Sequence, residues 1–322
     1  MKKKLTSTFI ALALALTCAG ALVSCGGEES KSDEKINILC SVFPIYDWVS
    51  NIVGDSDTVS VTLLVSGGGD LHSYEPSAAD MIKITNSDVV FYVGGTSDAW
   101  LSEALEKNSR DGRQDVSLID FESITKRPPC DEFILGEDHD HDHDHSAVDE
   151  HIWLSIDNAI AASKIICNTM ADVDSENSEK YEANLNDYSA ALTELKDTLS
   201  VPEDTQPLIF ADRFPFVYLF GDLNIPYYAA FSGCTAEVDA TFDTIVRLAT
   251  LADKLESKYI FVTESPAAAL ASTVIETTKS KSAEILVLDS MQSVTRIDID
   301  SGTTYISVMK KNLEIIASAI KQ

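Results

Sequence analysis

Short apolar runs alternate with segments of helical spacing through the first half of the chain. Four of these runs have the length and composition of β-strands, at 36–42, 58–65, 88–93 and 116–120. The run at 88–93 (DVVFYV) is apolar almost throughout, as expected for a strand buried on both faces of a parallel sheet. Helical spacing follows Pro44 and Pro76 and covers about 98–107. This alternation predicts an α/β fold with parallel-rich sheets.

The second half of the chain repeats the same alternation. Strands are predicted at 207–211, 227–231, 259–263 and 285–289, and helices near 239–256, 266–280 and 303–321. Between the halves, apolar residues recur every three or four positions from Tyr181 to Leu199, which predicts one long helix stopped by Pro202. We therefore predict two similar lobes, 36–177 and 202–322, joined by one long rigid helix at 178–201.

The N-terminal residues have the pattern of an export signal. Three lysines precede a short apolar stretch, and residues 22–25 (LVSC) have the form of a lipobox, which resembles bacterial lipoproteins. We predict a signal peptide at 1–24, acylation of Cys25 and a flexible tether at 25–35. An ordinary secretory signal is the alternative. The prediction places the protein outside the cytoplasm, lipid-anchored to a bacterial cell membrane.

The chain is strongly acidic, with 24 Lys and Arg residues against 52 Asp and Glu residues and a net charge of -28. Such a surface attracts cations and repels anions, so nucleic acid is not expected as a partner. The cysteines beyond the signal show no zinc-finger spacing. Cys40 and Cys167 lie in apolar runs and are predicted to be buried. A disulfide among these two, Cys130 and Cys234 is left open.

Three polar residues stand where ligands bind in α/β proteins, beyond the carboxyl ends of strands. His72 lies in a glycine-rich loop (SGGGDLHSYEP), His151 lies at the start of a predicted helix (DEHIWLSIDNA), and Asp289 ends the strand ILVLD. Each alone has an ordinary interpretation as a surface or capping residue. Together, two imidazoles and one carboxylate suit zinc or manganese. They predict a metal site in the cleft between the lobes.

Several segments resemble a known family. FPIYDW, LHSYEPSAAD, the acidic-histidine tract, HIWLSIDNA and LVLDS are similar to segments of the solute-binding lipoproteins of zinc and manganese ABC importers (cluster A-I). The resemblance implies two lobes joined by a rigid helix, with one metal ion in the cleft held by His72, His151 and Asp289. It also implies a monomer that delivers its ion to a permease.

One position departs from this resemblance. Where the family supplies a further His or Glu ligand, the segment LIFADRFPF places Ala211, which cannot coordinate a metal. Either three protein ligands and water complete the site, or another residue substitutes. Asp212 ranks first as the substitute, followed by Glu237, and Cys234 is a further candidate that would favour zinc.

An Asp-His repeat at about 136–148 forms the second candidate metal feature, with His139, His141, His143 and His145 at alternate positions. Such a sequence cannot build a core, so it predicts an exposed, disordered loop. It is either a solvated low-complexity run or an accessory metal collector. It resembles the His-rich loop of zinc-type members of the family and thus favours zinc.

The leading hypothesis is a lipoprotein that captures zinc and delivers it to an ABC importer permease. A manganese-specific importer protein is the nearest alternative. A surface metal buffer or adhesin is another, and a zinc-dependent hydrolase a third, since a missing ligand leaves room for water. The sequence has no HExxH motif, and we predict that the protein is not an enzyme.

Overall fold

Two four-stranded parallel sheets form the frame of the computed structural model, which describes residues 35–67, 74–129, 148–233, 240–264 and 268–320. The strands of the first sheet are β1 (Ile36–Cys40), β2 (Val59–Leu63), β3 (Val89–Tyr92) and β4 (Gln114–Ser117). Those of the second are β5 (Leu208–Phe214), β6 (Tyr227–Ser232), β7 (Tyr259–Thr263) and β8 (Glu284–Leu288). Their spatial orders are β2-β1-β3-β4 and β6-β5-β7-β8. All described strand pairs are parallel, which confirms the predicted α/β fold.

Helices connect the strands of both sheets. They are α1 (Phe43–Val53), α2 (Ala78–Asn86), α3 (Ala99–Lys107), α4 (Ile156–Val173), α5 (Ser178–Lys196), α6 (Val217–Leu223), α7 (Phe242–Lys254), α8 (Ala268–Thr277), α9 (Arg296–Asp300) and α10 (Tyr305–Ile320). Local sequence sets several of their starts. The Ser155 hydroxyl, for example, accepts a hydrogen bond from the backbone of Asn158 at 3.1 Å and caps α4.

The central strands are buried on both faces, as their apolar runs predict. In β3, Val89 and Phe91 pack into the main core, whereas Val90 and Tyr92 pack into a second cluster with α3. In β5, Phe210 belongs to the main core and Ala211 to a separate apolar cluster. Position 211 is therefore a packing position in the second sheet.

The helix between the sheets is shorter than predicted. It runs over Ser178–Lys196 rather than to residue 201, although the apolar stripe of the sequence continues to Leu199. The Leu195 carbonyl accepts hydrogen bonds from both the backbone and the hydroxyl of Thr198, which tightens and ends the last turn well before Pro202. The helix packs against α1 and α4.

Described residues from Ile36 onward form one compact unit. The division into two lobes with a rigid link stays a prediction. Cys40 and Cys167 are buried free thiols. Within the described ranges, no helix is both long and apolar enough to cross a membrane. The predicted signal peptide, the lipidated Cys25 and the Asp-His loop concern residues outside those ranges, as do Cys130 and Cys234.

Candidate metal centre

The carboxyl ends of the central strands form the edge at which parallel sheets bind ligands. In each sheet the chain order reverses there, between β1 and β3 and between β5 and β7. A buried aspartate joins the two central strands in both cases. Asp98 Oδ2 accepts hydrogen bonds from Val93 N at 2.7 Å and Ser41 Oγ at 3.2 Å. Asp212 Oδ2 accepts from the backbone and hydroxyl of Thr263 at 3.0 and 2.7 Å.

His151 lies just before a short 3-10 turn (Ile152–Leu154) and is almost fully buried. Its Nδ1 is 2.8 Å from Asp149 Oδ1, and the same oxygen accepts the His151 backbone N–H at 2.9 Å. Because a carboxylate can only accept, Nδ1 donates in this contact, and a neutral ring then has its proton on Nδ1. The coordinating lone pair is then on Nε2, the arrangement of many metal-binding histidines.

Trp153 connects the His151 segment to the second sheet. Its indole N–H donates to the Ser290 carbonyl at 2.9 Å, and its own carbonyl accepts from the Tyr305 hydroxyl at 2.7 Å. The Trp153 and His151 rings lie 5.1 Å apart in an edge-to-face arrangement. Ser290 is the neighbour of Asp289, so two of the three predicted ligands belong to segments that are hydrogen-bonded to each other.

Asp289 directly follows β8 and is held through its backbone. Its N–H donates to Asn312 Oδ1 at 2.9 Å, and its carbonyl accepts from Asn312 Nδ2 at 2.7 Å. Its Oδ1 accepts from Met291 N at 2.7 Å. Burial and, secondly, the negative charge of Glu264 raise the pKa of Asp289 from 3.8 to about 6. A cation at this carboxylate would offset both effects.

Glu264 stands at the end of β7, beside the Asp289 segment. Its carboxylate accepts from the backbone and hydroxyl of Ser290 at 2.8 and 2.6 Å, and from the Ser293 hydroxyl at 3.3 Å. These bonds fix the loop that follows Asp289. The second sheet therefore brings two carboxylates to one place.

Asp212, the predicted substitute ligand, has hydrogen bonds on both carboxylate oxygens. Besides the two bonds from Thr263, its Oδ1 accepts the Arg213 backbone N–H at 2.8 Å. These bonds give Asp212 a structural task at the β5–β7 junction. A ligand role for it stays a prediction.

The complete predicted ligand set includes residues outside the described ranges, namely His72, Glu237 and Cys234. Among the residues that the structure does describe, no three His, Cys, Asp or Glu side chains are grouped so that they could hold a metal ion. The donor types at the centre, imidazole nitrogen and carboxylate oxygen, suit zinc and manganese. The ligand set itself stays a prediction.

Comparison with known proteins assigns the family. The profile of the family described as "ZnuA: Zinc-uptake complex component A periplasmic" matches residues 38–319. The chain belongs to this family. Its members are solute-binding components of metal uptake systems, as the resemblance implied. It is a transport family and not an enzyme family.

Individual relatives of the family bind different metals. The zinc-binding lipoprotein AdcA of Streptococcus pneumoniae is 28% identical over 315 residues, which cover 97% of this chain and 61% of that protein. The manganese-binding lipoprotein MntA of Halalkalibacterium halodurans is 24% identical, over 99% of this chain and 100% of its own length. The crystal structure of the Zn(II)-bound ZnuA-like domain of S. pneumoniae AdcA has a TM-score of 0.69 and 25% identity, covering 89% of this chain and 100% of that one. This chain thus spans about 61% of the length of its zinc-binding relative.

Sequence reasoning missed the residues that support the candidate ligands. Asp149 stands two residues before His151, so the segment DEH carried a local signal for it. Glu264 and Asn312 carried no such signal, because each is more than 20 positions from the residues it contacts.

Proposed function

We propose that this protein is an extracytoplasmic, lipid-anchored, monomeric binding protein that captures zinc and delivers it to an ABC importer permease. The buried Asp149–His151 pair carries the proposal, because it holds an imidazole in the tautomer that coordinates metal, next to the Asp289 segment. His72, His151 and Asp289 are the proposed ligands. The protein has no enzymatic activity in this proposal.

Manganese is the second candidate cargo. The manganese-binding relative matches this chain over its whole length. The carboxylate of Asp289 is also a donor that manganese prefers more than zinc does. The Asp-His tract, proposed as an accessory collector of ions, favours zinc because imidazole suits that ion.

The test is a titration of the metal-free protein with zinc and with manganese at pH 7.5, on wild type and on His72→Ala, His151→Ala and Asp289→Ala. Each variant should lose the tightest site, with affinity lower by about 100-fold or more. His141→Ala is the matched control, since one histidine of the tract should affect weak, additional ions only. Unchanged tight binding in His72→Ala, together with normal growth in zinc-depleted medium, would contradict the proposal.

Asp212→Asn tests whether Asp212 is the fourth metal ligand, in place of the residue that Ala211 replaces. Asn retains an oxygen for the Thr263 donors, so the variant is expected to fold. If Asp212 is a ligand, zinc affinity falls by about tenfold or more. If its hydrogen bonds at the β5–β7 junction are its whole task, only the free energy of unfolding falls, by about 1–3 kcal/mol.

A further inference from the structure

Trp153 contacts the segments of both described candidate ligands. Its ring packs edge-to-face on the His151 ring at 5.1 Å, and its indole N–H donates to the carbonyl of Ser290, the neighbour of Asp289. Trp153 is 1% exposed and Ser290 is 2% exposed. Both groups are shielded from bulk water, so removing the indole donor takes from the Ser290 carbonyl the hydrogen bond that the fold gives it.

One helix, α10, holds the other sides of the same arrangement. The Tyr305 hydroxyl donates to the Trp153 carbonyl, and Asn312 makes two hydrogen bonds to the backbone of Asp289. Tyr305 and Asn312 are two helical turns apart, so they lie on one face of α10. The helix thus fixes Trp153 and Asp289 against a common rigid element.

We infer that Trp153 is a positioning residue that sets the spacing between His151 and Asp289. The inference rests on the proposed function, in which both side chains bind the same ion. Metal–ligand distances of about 2 Å leave little tolerance, so the two segments must be held at a fixed separation before the ion arrives. Trp153 does this through one hydrogen bond and one ring contact.

The chain contains a matched control in Trp48. Trp48 lies in the same core cluster as Trp153 and is fully buried. Its ring packs edge-to-face on Tyr305 at 5.4 Å, but within the described part of the chain its indole N–H has no hydrogen-bond partner. Trp48→Phe and Trp153→Phe remove the same atoms from the same core. Only the second substitution breaks the bond to Ser290.

The experiment measures zinc chloride binding by the full chain, by competition with a chelator at 25 °C and pH 7.5, and the thermal unfolding of the metal-free protein. Both variants should lower the unfolding temperature. Trp153→Phe should also weaken zinc binding by about tenfold, through faster dissociation, because supporting residues around metal sites have effects of this size. Trp48→Phe keeps an aromatic ring against Tyr305 and breaks no hydrogen bond recorded among the described residues, so it should change the zinc affinity by no more than about twofold.

Tyr305→Phe provides a second measurement that does not depend on the folding of Trp153→Phe. It removes the donor to the Trp153 carbonyl, keeps the ring, and should weaken zinc binding by about threefold. Equal zinc affinity in Trp153→Phe and Trp48→Phe overturns the inference and leaves the proposed function intact. If Trp153→Phe does not fold, an unchanged zinc affinity in Tyr305→Phe overturns the inference in the same way. Absence of tight zinc binding by wild type overturns the proposed function instead.

Discussion

The two sheets support their candidate ligands with opposite electrostatics. On the side of the first sheet, the Asp149 carboxylate accepts from the His151 ring, which is an attractive contact. On the side of the second sheet, Asp289 lies near a second carboxylate, Glu264, and its pKa is raised to about 6 by burial and by that charge. In the proposed site, the hydrogen bond to Asp149 prepares His151 for a cation. A cation beside Asp289 would offset the burial and the charge repulsion from Glu264 that raise the pKa of its carboxyl group.

This difference indicates that the metal-free protein contains an unfavourable charge contact at Asp289, next to Glu264. A cation bound at Asp289, as proposed, would offset the repulsion from Glu264, so stability of the metal-free protein and metal affinity would oppose each other there. In the proposed site they would act together at His151, because the hydrogen bond to Asp149 satisfies the buried Nδ1 and would raise the capacity of the ring to bind metal.

Asp149→Asn should weaken the attractive contact with His151 and have the largest effect on zinc affinity. Asn keeps the shape, and the Asp149 backbone stays anchored by its N–H to the Arg127 carbonyl and by its carbonyl to the Tyr218 hydroxyl. The amide of Asn can donate as well as accept, so it no longer forces the proton onto Nδ1 of His151, and the negative charge beside the ring is lost. We expect zinc affinity to fall by about 10- to 100-fold in a chelator competition assay.

Asp157→Asn is the control for this substitution. Its carboxylate pairs with Lys196 at the surface, where both side chains are about half exposed, so zinc affinity should not change. Equal affinities in wild type and Asp149→Asn would show that the Asp149–His151 contact has no part in metal binding.

Sequence patterns predicted the strands well because the signal is local. The apolar run YIFVT coincides with β7, and those before and after it lie within a few residues of their strands. The short helices α6 and α9 were missed, since five to seven residues give too little periodicity. His151 and Asp289 were singled out by their positions at the ends of elements, and their ligand role stays a prediction. The contacts of Glu264 and Trp153 with Ser290 were not, because only the tertiary fold brings these residues together.

Asp289→Asn should change how the free energy of unfolding depends on pH, because it removes the repulsion between Asp289 and Glu264. A carboxyl group with a folded pKa near 6 and an unfolded pKa near 3.8 stabilises the fold at low pH and loses that contribution as pH rises through 6. Relative to wild type, metal-free Asp289→Asn should therefore gain about 1 kcal/mol of unfolding free energy between pH 5 and pH 7. Urea unfolding with a chelator present measures this.

Asp98→Asn separates a general burial effect from one specific to the metal site. Asp98 is fully buried, and burial likewise raises its pKa to about 6. Relative to wild type, both variants should gain unfolding free energy between pH 5 and pH 7, but only Asp289→Asn should lose the stabilisation by added zinc. A pH-independent difference between Asp289→Asn and wild type would contradict the raised pKa.

Glu264→Gln should have the smallest effect, on the pH profile of binding. Removing the charge lowers the pKa of Asp289 toward its usual range, so protons compete less with the metal at mildly acidic pH. The ratio of zinc dissociation constants at pH 5.5 and 7.5 should therefore shrink by about two- to threefold. Gln retains one oxygen for the Ser290 backbone N–H, and its NH2 group can donate to Ser290 Oγ, which keeps the loop in place.

Glu103→Gln, at an exposed pair with Lys107, should leave the ratio unchanged. An unchanged ratio in Glu264→Gln as well would mean that burial alone raises the pKa of Asp289, and the two sides of the site would then differ in hydrogen bonding rather than in charge.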